Sequence, residues 1–585
     1  MKNLLIAASL LVLLANPAGA QQFVDRPMPE AATGTAAKPL VKAWEQMVVA
    51  AHPLAAEAGR SILREGGNAA DALVAVQLVL GLVEPQSSGI GGGAFLLFWD
   101  GQEKRLTTFD GRETAPAAAT PKLFLDENGQ PLKFLPAVVG GRSVGTPGTV
   151  KLLANVHARH GLLSWRRVVE PAIRLARNGF PVSERLHSLL AADPDLAQSV
   201  TMRDYFFPNG QPLEAGATLK NPAYADTLER IARQGLDGFY SGPNAEKLVA
   251  AVRDATGLDG KPNPGTLSLN DLEDYEVKER PPVCAPYRVY EICGMGPPSS
   301  GGVAVAQILG LLQPTDMRAL GSDDIQSWRL IGDASRLAFA DRNRYLADED
   351  FVAVPVKGLL DPGYLASRAK LLESPRAIEK AEAGMPAFDH ALLDRADDQS
   401  LELPSTSHFV IRDKAGNVVS MTTTIENGFG SRLMVNGYLL NNELTDFSFA
   451  THENGLAIAN RVEPGKRPRS SMAPTIVIEN GEPVLAIGSP GGSSIIGFVA
   501  QALVAVLDWD MNVADALAMP HLLHRGQVFE IEKGTQAEAK EAALKALGFQ
   551  TKVTDLNSGL HAIRITPQGL EGGVDPRREG LALGD

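Results

Sequence analysis

Apolar positions first recur at helical spacing just after residue 50. The stretch 52–65 carries one apolar face and stops at Gly66-Gly67, so it reads as an amphipathic helix. Asn68 is placed to cap a second, Ala-rich helix that runs to about Val83. A glycine-dense turn follows, Ser87-Ser88-Gly89-Ile90-Gly91-Gly92-Gly93. The period then shortens to strand-like runs at 94–99 and 105–109, joined through Asp100-Gly101. From about 150 to 385 the pattern is mostly helical, as at 327–346, where Leu330, Ala334, Leu337 and Ala338 keep helical spacing.

The stretch 384–405 breaks with this. It holds Asp389, Asp394, Asp397 and Asp398, ends in Leu403-Pro404-Ser405 and has no sustained apolar period, so it reads as an exposed linker. Beyond it the chain turns to β character: a strand at 407–411, a turn at 413–416 and a strand at 418–425. Further strands are expected at 475–478 and 484–487, with helices at about 492–507 and 535–547. No internal repeat is present.

The first residues follow a different logic. Lys2 precedes an apolar run at 4–14, which Asn16 and Pro17 break before Ala18-Gly19-Ala20. That order is a secretory signal peptide at 1–20, removed after Ala20. Eleven apolar residues are too few to cross a bilayer core of about 30 Å, and no later run reaches membrane-spanning length. The expected mature chain is therefore soluble, periplasmic in a Gram-negative source or otherwise secreted.

Composition adds little: 585 residues, 44% hydrophobic and 21% charged, allow several domains or one large α/β unit. A net charge of −13 argues against a nucleic-acid partner, which needs a basic face. A small anionic substrate stays open, because one local Arg suffices to bind a carboxylate. Cys284 and Cys293 flank an expected hairpin; a disulfide and two reduced strand residues are both open, and without a His cluster they make a poor zinc site.

The hairpin after the linker carries the first candidate chemistry. With its turn centred on Ala415, antiparallel partners have numbers summing to about 830, which sets Thr406 across from Thr424. Threonine is a weak nucleophile without an adjacent base. Its own α-amine is such a base, and only cleavage between Ser405 and Thr406 frees it. Strand threonines are common, so the pair alone proves little. Gly488-Ser489-Pro490-Gly491-Gly492-Ser493 lies between a strand and an apolar helix, where free backbone N–H groups can hold an oxyanion. In the stretch 464–472, Ser470 and Ser471 are able to donate to a carboxylate or merely to decorate a loop.

Taken in order, these segments resemble the γ-glutamyltransferase (glutathione hydrolase proenzyme) family. Thr406-Ser407-His408 is similar to its processing site. The resemblance extends through Thr422-Thr423-Thr424-Ile425-Glu426, Leu439-Leu440-Asn441-Asn442-Glu443-Leu444-Thr445-Asp446-Phe447, and the stretches 466–472 and 488–493. In the first half it includes Glu65-Gly66-Gly67-Asn68, Gly111-Arg112-Glu113-Thr114, Pro297-Pro298-Ser299-Ser300-Gly301-Gly302 and Ala338-Phe339-Ala340-Asp341-Arg342.

The resemblance implies an α/β, four-layer αββα N-terminal nucleophile hydrolase sandwich. It implies self-cleavage into a large fragment at 21–405 and a small one at 406–585, which stay together as an obligate heterodimer. Thr406 would be the nucleophile, Thr424 its orienting partner, and the Gly491 and Gly492 N–H groups the oxyanion hole. Arg112, with Ser470 and Ser471, would hold the substrate α-carboxylate; Asp446, with Glu443 and Glu426, would hold its ammonium. Glutathione and other γ-glutamyl compounds would be donors, water or amino acids and dipeptides acceptors, with no cofactor and no metal. His408 reads as structural.

Two departures qualify the resemblance. The position of Glu426 is Asn in some relatives. The stretch between Phe447 and Lys466 is short for a full lid, leaving hydrolysis and transfer both open. Two rivals remain: a glutaryl-cephalosporin acylase, which needs no ammonium pole, and an exported binding protein that never matures.

Overall fold

Strands buried on both faces dominate the centre of the protein. The computed structural model describes residues 36–392, 394–400, 402–403 and 405–585, so the expected signal peptide lies outside the described residues. Two seven-stranded sheets stack face to face. The first has the order Leu581–Gly584, Met47–Ala50, Ser407–Arg412, Val418–Thr424, Gly93–Asp100, Arg105–Gly111, Lys278–Arg280, with every pair antiparallel. The second runs Val41–Ala43, Gly569–Val574, His561–Thr566, Glu482–Gly488, Thr475–Glu479, Tyr290–Gly294, Val283–Tyr287.

The period-2 pattern explains the layering. Leu96, Phe98, Phe409, Ile411, Val419 and Met421 pack outward against the helices Pro53–Arg64 and Ala69–Val83. Phe95, Leu97, Trp99, Val410 and Val418 point the other way, onto Ile476, Val477 and Leu485 of the second sheet. That sheet is covered in turn by the helices Gly301–Leu312, Ile325–Tyr345 and Ile495–Leu507. Helix, sheet, sheet, helix is the expected four-layer αββα sandwich.

The local reasons match the sequence signals. Asn68 accepts from the Ala70 and Asp71 N–H groups while Asp71 accepts from the Asn68 N–H, a reciprocal cap. Ser407 lies opposite Thr423 and His408 opposite Thr422, so the partners sum to 830 as the turn predicts. Cys284 and Cys293 sit directly across from each other on neighbouring strands and form a disulfide, which resolves the alternative left open.

The linker expectation needs correction. Its first part is largely exposed, but Asp398, Glu402 and Ser405 are buried. Burial is possible because Arg469 and Arg342, distant in sequence, neutralise the two acids. The short stretch after Phe447 folds into a small hairpin of His452–Glu453 and Leu456–Ala457, and the Ala457 carbonyl accepts from the Ala396 N–H.

Candidate active site

The site forms where the end of the linker enters the first sheet. Thr406 immediately precedes the strand Ser407–Arg412, and Thr424 ends the neighbouring strand. The two hydroxyl oxygens lie 3.4 Å apart. Both hydroxyls donate to one acceptor, the carbonyl oxygen of Ser405, at 2.5 Å from Thr406 and 3.0 Å from Thr424. The Thr424 oxygen is held in turn by the Glu426 N–H at 2.8 Å. Arg578 donates to the Thr406 carbonyl at 3.0 Å, and the Ser405 hydroxyl donates to the Gln86 carbonyl at 2.9 Å. The peptide between Ser405 and Thr406 is thus gripped on both sides, and Thr406 is only 3% exposed.

A small cavity brings the remaining candidates together. It is lined by Thr406, Thr424, Gly492, Arg112, Glu426, Glu443, Asp446, Ser470 and Ser471, with Glu402 and Leu403 from the linker. Gly491 precedes Gly492 in the turn that leads into the helix Ile495–Leu507. Both glycines have positive φ, 136° and 56°. A Cβ on Gly492 would lie 2.6 Å from the Leu403 carbonyl carbon. Gly492→Ala is therefore expected to displace the segment that carries the Ser405–Thr406 bond. The yield of any cut form on a denaturing gel should fall severalfold.

The charged residues do not stand apart. The Arg112 guanidinium donates to Glu443, to Asp446 at 2.6 Å, and to the carbonyls of Pro468 and Arg469. The resemblance assigns these groups to opposite ends of a substrate; here they pair with each other. Glu113 and Glu426 complete an acid cluster, and Asn442 donates to Glu426. Burial, with Asp446 and Glu443 close by, pushes the Glu426 carboxyl well above the usual range; burial likewise raises Asp446 and Glu443 against the pull of Arg112.

Those raised values make a stability prediction. A carboxyl whose folded pKa exceeds its unfolded value of about 4.3 binds more protons in the folded chain. Stability is therefore lost as pH rises through that window. Glu426→Gln removes the penalty while keeping the side chain's shape. Thermal melting of the purified protein should show a gain of roughly 1–3 °C at pH 8, with little change at pH 4.

His408 is buried, its Nδ1 paired with the Thr422 hydroxyl at 2.9 Å, and burial holds its pKa well below the normal value. It is a neutral core histidine packed against Gly488, where a Cβ would lie 2.3 Å from the ring. Sequence reasoning missed Glu402, Arg342 and Arg469, which form a buried charged group at the cavity edge. The motif ending in Arg342 was a visible signal without an assigned role.

Comparison with known proteins decides the family. The gamma-glutamyltranspeptidase model matches residues 55–584, nearly the whole described chain. The chain belongs to the gamma-glutamyltranspeptidase family. It is 38% identical over 555 residues to a glutathione hydrolase proenzyme of Bacillus subtilis strain 168, covering 92% of this chain and 91% of that one. Among solved structures, a cephalosporin acylase from Bacillus halodurans superposes with a TM-score of 0.82 at 26% identity, over 98% of this chain and 99% of that one. A gamma-glutamyltranspeptidase from Helicobacter pylori matches with a TM-score of 0.55 at 33% identity, over 58% of this chain and 95% of that one. The chain therefore has the N-terminal nucleophile hydrolase sandwich expected from its motifs.

Proposed function

We propose that the chain is a proenzyme that cuts itself between Ser405 and Thr406. It then transfers the γ-glutamyl group of glutathione and related compounds to water or to amino-acid and peptide acceptors. The observation that carries this reading is the Ser405 carbonyl, which accepts from both threonine hydroxyls. In the self-cleavage step, Thr406 Oγ1 attacks the Ser405 carbonyl carbon and the peptide C–N bond breaks. The acyl group moves to oxygen and the proton to nitrogen. Water then hydrolyses the ester, leaving the Ser405 carboxylate and a free Thr406 α-amine.

In turnover the same oxygen attacks the γ-carbonyl carbon. The α-amine takes the hydroxyl proton and passes it to the departing amine, and the acyl ester is released by water or an acceptor amine. The Gly491 and Gly492 N–H groups serve the oxyanion. Arg112, Ser470 and Ser471 serve the α-carboxylate, while Asp446, Glu443 and Glu426 serve the ammonium. Holding these remote groups turns binding into orientation of the γ-carbonyl.

The sheet order supports a lasting heterodimer of 21–405 and 406–585. Strand Met47–Ala50 is hydrogen-bonded between Ser407–Arg412 and Leu581–Gly584, so each fragment supplies strands to the other's sheet. Export of the chain fits the disulfide. Among the described residues no helix is long and apolar enough to cross a membrane.

The acylase structure at TM-score 0.82 keeps one alternative alive, cleavage of glutaryl-cephalosporins. The acid cluster of Glu426, Glu443 and Asp446 favours a substrate with an ammonium, which glutaryl groups lack. A purely binding role would not need two hydroxyls converging on one peptide carbonyl. The test is an assay of γ-glutamyl-p-nitroanilide beside a glutaryl anilide. The proposal expects at least a 100-fold preference in kcat/KM for the γ-glutamyl compound; equal or reversed rates would replace it with the acylase reading.

A further inference from the structure

A second cavity, of about 450 Å³, opens between the segment 132–142 and the loop 257–263. That size is in the range of small-molecule sites. It shares no lining residue with the cavity at Thr406. The two are neighbours nonetheless: Leu135 and Leu258 of its wall belong to the same apolar cluster as Leu403, which lines the catalytic cavity.

The wall is apolar although it faces solvent. Leu132, Leu135 and Leu258 are left half-exposed, beside Pro136 and Pro262. Asn263, itself buried, holds the two sides together. Its amide donates to the Val139 carbonyl at 2.7 Å and to the Pro136 carbonyl at 3.2 Å, and its backbone carbonyl accepts from the Gly141 N–H at 2.9 Å. Its side-chain oxygen accepts from Arg142 Nε at 2.8 Å, and Arg142 Nη1 donates to the Leu123 carbonyl at 2.8 Å. The guanidinium is thus fixed in place before any ligand arrives.

Arg142 is the charge that this wall leaves unanswered. Both of those partners are neutral; among the described residues it makes no ion pair, and its Nη2 has no hydrogen-bond partner. Burial lowers its pKa with no acid acting against the shift. Asp259, the acid of the wall, is engaged on its own loop by the Lys261 ammonium at 3.1 Å and the Lys261 N–H at 3.0 Å. Lys133 adds a further cation at the exposed rim.

The geometry points to a binding site for a small organic carboxylate with an apolar body. The carboxylate is received by Arg142 Nη2, and the body packs against Leu135 and Leu258. A solvent-facing arginine needs no leucine wall, and an apolar hollow needs no fixed cation; together they match one ligand chemistry. Two sources carry it: an acceptor peptide ending in an apolar residue, or a free aryl or alkyl carboxylic acid that is not turned over. The site itself stands apart from the proposed transfer reaction; only the first source depends on it.

Calorimetry on the purified wild-type protein, with 3-phenylpropanoate as the probe, tests the site. Binding should saturate at one equivalent, and excess L-glutamate should not displace it. Arg142→Gln should weaken binding at least about 10-fold, the scale of one hydrogen bond to a charged group. 3-Phenylpropanamide, the same body without the charge, should be indifferent to Arg142→Gln. Should that variant fail to fold, Leu258→Glu in the half-exposed loop replaces it, and the acid should then lose at least about 10-fold more than the amide. No saturable binding, displacement by L-glutamate, or equal losses for acid and amide would overturn the inference.

A transfer assay with Gly-Phe as acceptor assigns the source. If an acceptor peptide occupies the site, Arg142→Gln raises the KM for Gly-Phe severalfold and leaves hydrolysis of γ-glutamyl-p-nitroanilide unchanged. If a free acid occupies it, Arg142→Gln changes neither rate while still weakening 3-phenylpropanoate.

Discussion

Thr406→Ala is expected to remain a single chain and to lose turnover by roughly 10⁴-fold or more, the scale seen when a covalent nucleophile is removed. Both effects come from one oxygen. In the uncut protein it lies 2.5 Å from the Ser405 carbonyl oxygen, so its loss removes the attacking atom for self-cleavage. It also removes the atom that would carry the acyl group. The fold should survive, since among the described residues the Thr406 hydroxyl bonds only to Ser405 and Thr424, and Thr424 keeps its own bond to the Ser405 carbonyl. Circular dichroism and a denaturing gel check folding and processing separately. A variant that still matured would remove Thr406 from the mechanism.

Asp446→Asn should lower kcat/KM for γ-glutamyl-p-nitroanilide about 10²–10³-fold, the usual cost of leaving one partner of a buried charge contact unpaired. Asp446 is buried and bonded to Arg112, with its second carboxylate oxygen free of any described partner. That oxygen is the one able to receive an ammonium. The glutaryl anilide, which has no ammonium, should be affected far less. An equal loss on both substrates would mean that Asp446 serves only to hold Arg112.

Much of this layout was legible in the sequence, for physical reasons. The hairpin register is fixed by a short turn and by strands buried on both faces, where a one-residue slip would exchange the two faces. That is why Thr424 can be placed beside Thr406 from numbering alone. The strands Met47–Ala50 and Leu581–Gly584, at one end of the first sheet, were not legible. Each has only 4 residues, and each pairs with a partner far away in sequence.

The linker misled because aspartates normally mark solvent. Asp398 and Glu402 are buried only because Arg469 and Arg342 meet them, and composition carries no sign of such distant pairs. The motif assignments brought Arg112, Glu443 and Asp446 to one place. They gave no warning that cation and acids would bond to each other in the uncut chain.

The central claim is the self-cleavage between Ser405 and Thr406, and intact-mass analysis with N-terminal sequencing of the purified wild-type protein tests it most directly. Two fragments are the predicted result, the smaller beginning Thr406-Ser407-His408. A single uncut chain with full γ-glutamyl activity, or a fragment that begins at any other residue, would contradict it.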